Sequence, residues 1–254
     1  MIETPTVSVR KIAHDRGFHV TFLESGSDYW ISSPDAVTFP GYVDGAFGFG
    51  CPIRRQYGTQ NLFPDWEDIM VSLQTPVCEF DQAAPDFSLP GVDGRTWTRD
   101  DCKGENGLLV MFICNHCPYV KAVIDRIVRD AAELAEMGVG CVAIMSNDPS
   151  DYPEDSFDNM QRVAAGQRFP FPYLLDETQQ VAKAYGAVCT PDFFGYNSDL
   201  GLQYRGRLDE SRKEAAPPGV RRDLFEAMKQ VAETGRGPED QIPSMGCSIK
   251  WIGG

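Results

Sequence analysis

The chain alternates short, wholly apolar runs with segments whose apolar residues recur at helical spacing. The first run, residues 108–113 (LLVMFI), has the continuous hydrophobicity of a strand that is buried on both faces. Helical periodicity then continues for about five turns to Gly138, and a second apolar run, VGCVAIM, fills residues 139–145. A strand, a helix and a strand in this order predict a βαβ unit with parallel strands and a right-handed crossover.

The same alternation continues beyond the second run. We predict two helices that stop at Gly166 and Gly186, separated by the short strand FPYLLD. The segments DFFGYN and LQYRGRL flank the turn sequence SDLG and predict a hairpin, and residues 219–235 predict a final amphipathic helix. The pattern therefore predicts an α/β fold with a mixed central sheet flanked by helices.

Upstream of the first apolar run the chain changes character twice. Residues 84–104 alternate around the turn signal VDG and predict an N-terminal hairpin against the sheet edge. Residues 1–69 are instead rich in aromatic residues, Gly and Pro, with brief strand-like pieces such as FHVTFL and DYWIS. We predict an N-terminal extension of unknown role over residues 1–69 and the α/β domain over residues 70–254. Three alternatives stay open for the extension: a small β-rich appendage, a poorly ordered arm, or translation that starts at Met70.

Charge and hydropathy limit the partners and the location. The 254 residues include 23 basic and 37 acidic ones, which gives a net charge of −14. Nucleic acids and anionic membranes attract basic surfaces, so we expect neither as a partner. No stretch reaches the roughly 18 apolar residues of a membrane span, and the N-terminus lacks the basic start and apolar core of a signal peptide. We therefore expect a soluble cytoplasmic protein.

Eight cysteines are spread unevenly along the chain, unlike the dense disulfide framework of a small secreted domain. Cys114 and Cys117 form a C-x-x-C motif with His116 between them, at the exit of the first apolar run. Spacing alone leaves three interpretations: a redox pair, half of a metal site, or two buried small residues. In a reducing cytosol a close pair is more often catalytic or metal-binding than structural. Cys141, inside the second apolar run, is expected to be core packing.

A C-x-x-C motif at the join of a buried strand and a helix is suited to redox chemistry. The unpaired N–H groups and partial positive charge of a helix N-terminus stabilise a thiolate, which lowers a cysteine pKa from about 8.5 into the range of about 3.5–7.5. We expect the imidazole of His116 to donate a hydrogen bond toward Cys114 and to favour its ionised form. Because this stabilises the reduced state, the pair is predicted to be more oxidising than the most reducing C-x-x-C proteins.

A metal-binding module through Cys114, Cys117 and His116 is the alternative from a different functional class. A zinc site usually takes four ligands, commonly as two close pairs. The chain has one C-x-x-C motif, and Cys189 and Cys247 lack partners at ligand spacing. We therefore predict that the redox pair uses no metal and no other cofactor.

An acidic stretch, SNDPSDYPEDSFD, fills residues 146–158. It lacks the glycine and terminal glutamate spacing of a calcium loop. We predict a loop at a strand end that leads into a capped helix. Because ligand-facing loops in open α/β sheets lie at such ends, part of this loop is expected to line the substrate approach.

The motifs taken together resemble a known family. The segment FICNHCPYV follows APDFSLPGVDG and precedes CTPDFF and YRGRLDES. This series resembles the thioredoxin-like superfamily, and more closely its peroxiredoxin-like branch of AhpC/TSA (redoxin) proteins, over about residues 72–252. The resemblance implies a thioredoxin-like fold and a thiol-disulfide oxidoreductase. It also implies a protein or small-molecule disulfide, or a peroxide, as substrate and a thiol as electron donor.

Carried over by position, the resemblance makes Cys114 the attacking thiol and Cys117 the resolving thiol of a dithiol–disulfide cycle. Thr190 and Pro191 match the loop that carries a cis-proline in this fold and pairs with the substrate backbone. A cis X-Pro bond is only about 0.5–1 kcal/mol less stable than the trans form. Two further thiols are candidates for a longer relay: Cys189 and Cys247.

The same stretch also fits a thiol peroxidase. In peroxiredoxins the peroxide-attacking cysteine precedes a proline and opens a helix, and here Cys117 precedes Pro118, which suits the first helical position. Cys114 stands where these enzymes usually have threonine, so the peroxidase pattern is incomplete. Arg205 or Arg207 would supply the positive charge near the thiolate, although we expect a surface ion pair as the use of each. We therefore favour disulfide exchange and keep peroxide reduction, with Cys117 attacking, as the alternative.

Overall fold

The computed structural model describes residues 8–13, 19–25, 28–32, 72–214, 216–217 and 219–253. The chain divides into two compact units, residues 1–67 and 68–254. None of the described helices is long and apolar enough to cross a membrane. The predicted alternative start at Met70 lies outside the described residues, and the predicted limits 1–69 and 70–254 stay predictions.

Three antiparallel strands are described in the N-terminal unit. They are β1 (Ser8–Ala13), β2 (His19–Ser25) and β3 (Asp28–Ser32). β2 pairs with both β1 and β3 and is therefore the central strand. Most of the predicted piece FHVTFL lies in β2, and DYWIS is β3, so both are confirmed as strands.

A five-stranded mixed sheet forms the centre of the second unit. The strands of this unit are β4 (Ser72–Gln74), β5 (Ser88–Pro90), β6 (Thr96–Thr98), β7 (Gly107–Phe112), β8 (Val139–Met145), β9 (Tyr173–Leu175), β10 (Cys189–Thr190), β11 (Asp192–Tyr196), β12 (Leu202–Tyr204) and β13 (Met245–Ser248). The central sheet has the order β12-β11-β7-β8-β9. In it β7, β8 and β9 are parallel, whereas β11 and β12 are antiparallel to their neighbours. The predicted mixed sheet and the hairpin of β5 and β6 are confirmed.

Six α-helices of the second unit are described. They are α1 (Arg99–Cys102), α2 (Pro118–Lys121), α3 (Ile124–Glu136), α4 (Phe157–Gln167), α5 (Gln180–Tyr185) and α6 (Asp223–Thr234). The single helix predicted after the first apolar run is two helices, because the backbone of Val123 leaves the helical region (φ −125°, ψ −1°). α4 continues one residue past the predicted stop at Gly166 and ends where Arg168 is left-handed (φ 54°). α5 ends at Gly186, as predicted.

Apolar side chains pack on both faces of the central sheet. Successive residues of a strand point to opposite faces, so Leu109 and Met111 of β7 join one core cluster and Leu108 and Val110 join another. The first cluster includes residues of α3 and α6, and the second includes residues of α5 and β5. Burying one such side chain stabilises the fold by about 1.5–3 kcal/mol. The core therefore fixes β7 and, with it, the chain segment that carries the C-x-x-C motif.

Beside the central sheet, the second unit contains a three-stranded sheet that was not predicted from the sequence pattern. Its order is β10-β13-β4, and β13 is antiparallel to both neighbours. Cys247 of β13 lies opposite Thr190 on one side and opposite Ser72 on the other. This sheet joins the start of the second unit and its C-terminal tail to the Thr190–Pro191 loop.

We expect a chain that starts at residue 68 to fold without the preceding residues. The two core clusters of the described residues lie between Ala84 and Ile249 and belong wholly to the second unit. Thermal unfolding followed by circular dichroism should show one cooperative transition with a midpoint close to that of the full chain. Insolubility, or a gradual loss of signal without a transition, would contradict this expectation.

Candidate active site

Cys114 and Cys117 lie in the short segment between β7 and α2. Both side chains are buried, with 1% and 0% of their surfaces exposed. Cys117 is the N-cap residue of α2, and Pro118 occupies its first turn, where a missing N–H leaves no intrahelical bond unmade. The pair lies at a strand-to-helix join, as predicted, and Cys117 rather than Cys114 stands at the helix start.

Thr190 contacts both sulfur atoms of the pair. Its hydroxyl oxygen lies 3.2 Å from Cys114 Sγ, and its carbonyl oxygen lies 3.1 Å from Cys117 Sγ. The peptide bond between Thr190 and Pro191 is cis. The fold therefore brings the C-x-x-C motif and the predicted proline loop together.

Cys247 supplies a third sulfur at the same place. Its Sγ lies 2.9 Å from Cys117 Sγ, across 130 residues of sequence. The antiparallel pairing of β13 with β10 places it there, because Cys247 is the direct partner of Thr190. The sequence does not predict the contact between Cys247 and Cys117, because neither spacing nor periodicity links Cys247 to the C-x-x-C motif.

Cys189 is buried, and its hydrogen bond goes to the backbone rather than to one of these three sulfurs. It precedes Thr190 in β10, and neighbouring residues of a strand point to opposite faces. Its thiol donates to the carbonyl oxygen of Pro191 at 3.6 Å, and burial raises its pKa. Of the two candidate further thiols, Cys189 and Cys247, it is Cys247 whose sulfur contacts Cys117.

The three thiols have unequal tendencies to ionise. Hydrogen bonds from Cys114, and then from Cys247, lower the pKa of Cys117 against the opposing effect of burial, and the backbone N–H of Val120 adds to them. Burial raises the pKa of Cys114, and its hydrogen bond to Cys117 and the charge of Asp155 raise it further. The hydrogen bond to Cys117 also raises the pKa of Cys247. The site therefore favours one thiolate, held at Cys117.

His116 is paired with a buried carboxylate. Its Nδ1 lies 2.6 Å from Asp155 Oδ2, and its ring stacks on Tyr152 with 4.1 Å between centroids. Its other ring nitrogen, Nε2, is buried and has no hydrogen-bond partner among the described residues. The predicted hydrogen bond from His116 to Cys114 is therefore not made, because the imidazole is oriented toward Asp155.

Asp155 organises the C-x-x-C segment, and the sequence pattern did not single it out. Its carboxylate accepts from the backbone N–H of Asn115 at 2.7 Å and of His116 at 3.1 Å, and from the side-chain amide of Asn147 at 2.9 Å. It belongs to the acidic loop that was expected near the substrate approach. Hydrogen bonds from two backbone N–H groups to this one carboxylate hold the segment before α2 in one conformation.

The side chains that could bind a metal ion together differ from the predicted set. Cys114, His116 and Asp155 offer ligand atoms within 4.8 Å of one another, so Asp155 takes the place predicted for Cys117. Three donors are one fewer than structural zinc sites use. Both carboxylate oxygens of Asp155 already accept hydrogen bonds, so the geometry favours a hydrogen-bonded His–Asp pair.

Arg205 and Arg207 are engaged in ion pairs. Arg205 Nη2 lies 3.2 Å from Asp192 Oδ2, and Arg207 Nε lies 2.7 Å from Asp223 Oδ2. The predicted ion pairs are confirmed, but the one with Asp192 is buried rather than at the surface, because Asp192 lies within β11 of the central sheet.

We expect one thiol of the reduced protein to ionise well below the ordinary cysteine pKa of 9.0, because hydrogen bonds stabilise the thiolate of Cys117. A titration of ultraviolet thiolate absorbance should show this low-pH step. Cys117→Ser should abolish it, and Cys114→Ala should move it to higher pH by removing the main hydrogen-bond donor. Cys141→Ser is the control and should retain it, since burial raises the pKa of Cys141 to about 12. A wild-type titration with no step below 9.0 would contradict the assignment.

Asp155→Ala should destabilise the protein strongly. It leaves the buried imidazole of His116 and the donors of Asn115 and Asn147 without their acceptor, so we expect the free energy of unfolding to fall by roughly 3–5 kcal/mol. Urea denaturation at neutral pH measures this loss. Asp148→Ala is the control, because its exposed carboxylate accepts only local hydrogen bonds from Ser150. Equal losses in the two variants would contradict the organising role of Asp155.

Comparisons with known proteins identify the family. The sequence profile of the AhpC/TSA family matches residues 80–209, which are 130 of the 254 residues. An uncharacterized conserved protein from Geobacillus kaustophilus is 46% identical, and its crystal structure matches 73% of this chain and 98% of its own length with a TM-score of 0.69. A hypothetical protein from Sinorhizobium meliloti 1021 is 37% identical over 71% of this chain and 99% of its own, with a TM-score of 0.66. No curated protein sequence matches the chain.

The matched region contains the C-x-x-C motif and the Thr190–Pro191 loop. The mixed sheet, its flanking helices and the cis-proline beside two cysteines are features of a thioredoxin-like fold. The chain is therefore a member of the AhpC/TSA family, with a thioredoxin-like fold and a thiol-based redox function.

Proposed function

We propose that this protein is a thiol-disulfide oxidoreductase that cycles Cys114 and Cys117 between a dithiol and a disulfide. The observation that carries the proposal is the meeting of both sulfurs at Thr190, one 3.2 Å from its hydroxyl oxygen and the other 3.1 Å from its carbonyl oxygen. Two thiols held against one residue are placed to join with little movement of the chain. Such pairs exchange disulfides through a mixed-disulfide intermediate.

We assign the attack to Cys117, although the resemblance by position assigns it to Cys114. The thiolate is the attacking form of cysteine. Hydrogen bonds lower the pKa of Cys117, whereas burial raises the pKa of Cys114. Cys117 also occupies the N-cap position of α2, and the backbone N–H of Val120 in that helix stabilises negative charge on its sulfur. Cys114 then serves as the resolving thiol.

The proposed cycle has two steps. The Cys117 thiolate attacks one sulfur of the substrate disulfide, which forms a mixed disulfide and releases the other substrate sulfur as a thiolate. The released substrate thiolate takes the proton of Cys114, and the Cys114 thiolate then attacks Cys117 Sγ, closes the Cys114–Cys117 disulfide and releases the second substrate thiolate. Two electrons pass from the protein to the substrate, and a thiol donor returns them.

A surface cleft beside the proline loop supports substrate docking near the pair. It is lined by Tyr119, Pro191 and residues 207–212 and 242–245. Tyr119 belongs to the helix that Cys117 caps, and Pro191 follows the residue that both sulfurs contact. The lining carries both acidic and basic side chains, which suits a polar disulfide such as an extended polypeptide or a charged small molecule.

A thiol peroxidase is the second candidate, and the order Cys117–Pro118 at the start of α2 favours it. In that reaction the Cys117 thiolate attacks a peroxide oxygen, the O–O bond breaks, and Cys117 becomes a sulfenic acid. Attack by Cys114 on that sulfur then forms the same disulfide and releases water. Arg205 and Arg207, the predicted sources of positive charge, are held by Asp192 and Asp223 instead, so we rank this reaction second.

Single Ser variants test the proposed attack. With glutathione disulfide as substrate, Cys117→Ser should slow glutathione release by roughly a thousandfold or more, because the nucleophile is removed. Cys114→Ser should retain the initial release of glutathione, because the first attack does not need the resolving thiol. Cys141→Ser is the matched control and should keep wild-type kinetics. Initial release that survives in Cys117→Ser and disappears in Cys114→Ser would assign the attack to Cys114.

A parallel assay with hydrogen peroxide separates the two candidate reactions. Under the proposed function the wild-type protein reduces the disulfide faster than it consumes peroxide at equal substrate concentration. Faster peroxide consumption that is lost in Cys117→Ser would make the protein a peroxidase. A wild-type protein that reacts with neither substrate would contradict both candidates.

A further inference from the structure

We propose that Cys247 is a second resolving thiol of this site, which can close a disulfide with Cys117 in place of Cys114. This inference rests on the proposed function, in which Cys117 makes the first attack. The contact that carries it is the 2.9 Å separation between Cys117 Sγ and Cys247 Sγ. Both side chains are almost wholly buried, so the two sulfurs face each other inside the protein.

The second sheet holds Cys247 at this distance. β13 is its central strand, and Cys247 is paired with Thr190 on one side and with Ser72 on the other. The hydroxyl of Ser72 lies 2.9 Å from the hydroxyl of Tyr119 in α2. Cys247 is therefore anchored to both elements that contact Cys117, the proline loop and the helix that Cys117 caps.

Gly246 permits the close approach of β13 to the proline loop. A side-chain carbon at this position would collide with the backbone carbonyl of Thr190 and lie 3.0 Å from the nitrogen of Pro191. Glycine is the residue used where two backbone segments approach this closely. The residue before Cys247 thus sets the distance between the tail and the site.

The charges around the two resolving thiols differ. Burial and the hydrogen bond to Cys117 raise the pKa of both thiols; the charge of Asp155 adds to this effect at Cys114, whereas the charges of Lys250 and Lys213 oppose it at Cys247. The largest effect on Cys247 is its hydrogen bond to Cys117, which raises its pKa. When Cys117 enters a mixed disulfide its negative charge disappears, and this effect on Cys247 is removed. Oxidation of Cys117 therefore favours ionisation of Cys247.

The resolving step is balanced without a further reactant. The substrate thiolate released in the first attack takes the proton of Cys247, and the Cys247 thiolate attacks Cys117 Sγ in the mixed disulfide, forms the Cys117–Cys247 bond and releases the second substrate sulfur as a thiolate. The same attack on a Cys114–Cys117 disulfide moves the bond to Cys117–Cys247 and releases Cys114 as a thiolate. The first reaction completes the two-electron reduction of the substrate, and the second changes no oxidation state.

Removal of Cys114 isolates this step for an experiment on the full chain. Reduced Cys114→Ser protein is treated with glutathione disulfide, quenched with an alkylating agent and mapped by peptide mass spectrometry without reduction. We expect a Cys117–Cys247 disulfide and loss of the glutathione adduct. In Cys114→Ser/Cys247→Ser the adduct on Cys117 should persist. Cys114→Ser/Cys189→Ser is the matched control and should behave as Cys114→Ser, since the Cys189 thiol bonds to the carbonyl oxygen of Pro191 rather than to Cys117.

The outcomes separate this inference from the proposed function. An adduct on Cys117 that persists equally with and without Cys247 would overturn the role of Cys247 and leave the attack by Cys117 intact. No adduct on Cys117 in folded Cys114→Ser/Cys247→Ser would overturn the attack itself, and the role of Cys247 with it. Cys247→Ala replaces Cys247→Ser if circular dichroism shows that the buried hydroxyl prevents folding.

Discussion

The contact of three sulfur atoms around Thr190 is the constraint on which the rest of the site depends. Two of them, from Cys114 and Cys117, come from the end of β7, and the third is carried by β13. Each of these strands is held independently of the sulfurs, β7 by apolar packing on both faces and β13 by pairing along both edges. Because the thiols are buried together, hydrogen bonds from the neighbouring thiols stabilise a negative charge on one of them. Hydrogen bonds from Cys114 and Cys247, helped by the backbone N–H of Val120 in α2, make Cys117 the one that holds it.

Asp155 contributes to the difference in pKa between Cys114 and Cys117. It fixes the backbone of the C-x-x-C segment through the N–H groups of Asn115 and His116. Its charge also adds to the effect of burial in raising the pKa of Cys114. One residue of the loop after β8 therefore shapes the segment and adds to the burial that raises the pKa of its first thiol. His116 contributes by holding that carboxylate rather than by contacting a sulfur, which differs from its expected role.

Local patterns in the sequence predicted those parts of the fold that depend on neighbouring residues. The strands β7 and β8, the β5–β6 hairpin and the last helix all follow from periodicity and turn signals. The break at Val123 was missed because apolar spacing continues through it. The β10-β13-β4 sheet was missed because strands of two to four residues are too short to show a period. Thr190 and Pro191 were found through the family resemblance, and Cys247 was named as a candidate further thiol. Its contact with Cys117 and the place of Asp155 come from tertiary contacts that no local pattern records.

Three sulfur atoms lie together at this site, one more than a single disulfide uses. Oxidation by two electrons joins two thiols, and Cys117 touches the other two members of a group of three. Whichever pair is joined, one cysteine stays reduced within the same buried volume. A group held at this distance acts at an effective concentration far above that of any dissolved thiol. Under the proposed cycle the oxidised site thus contains its own internal competitor, and the lifetime of an individual disulfide is set by the protein interior rather than by the supply of thiols in the surrounding solution.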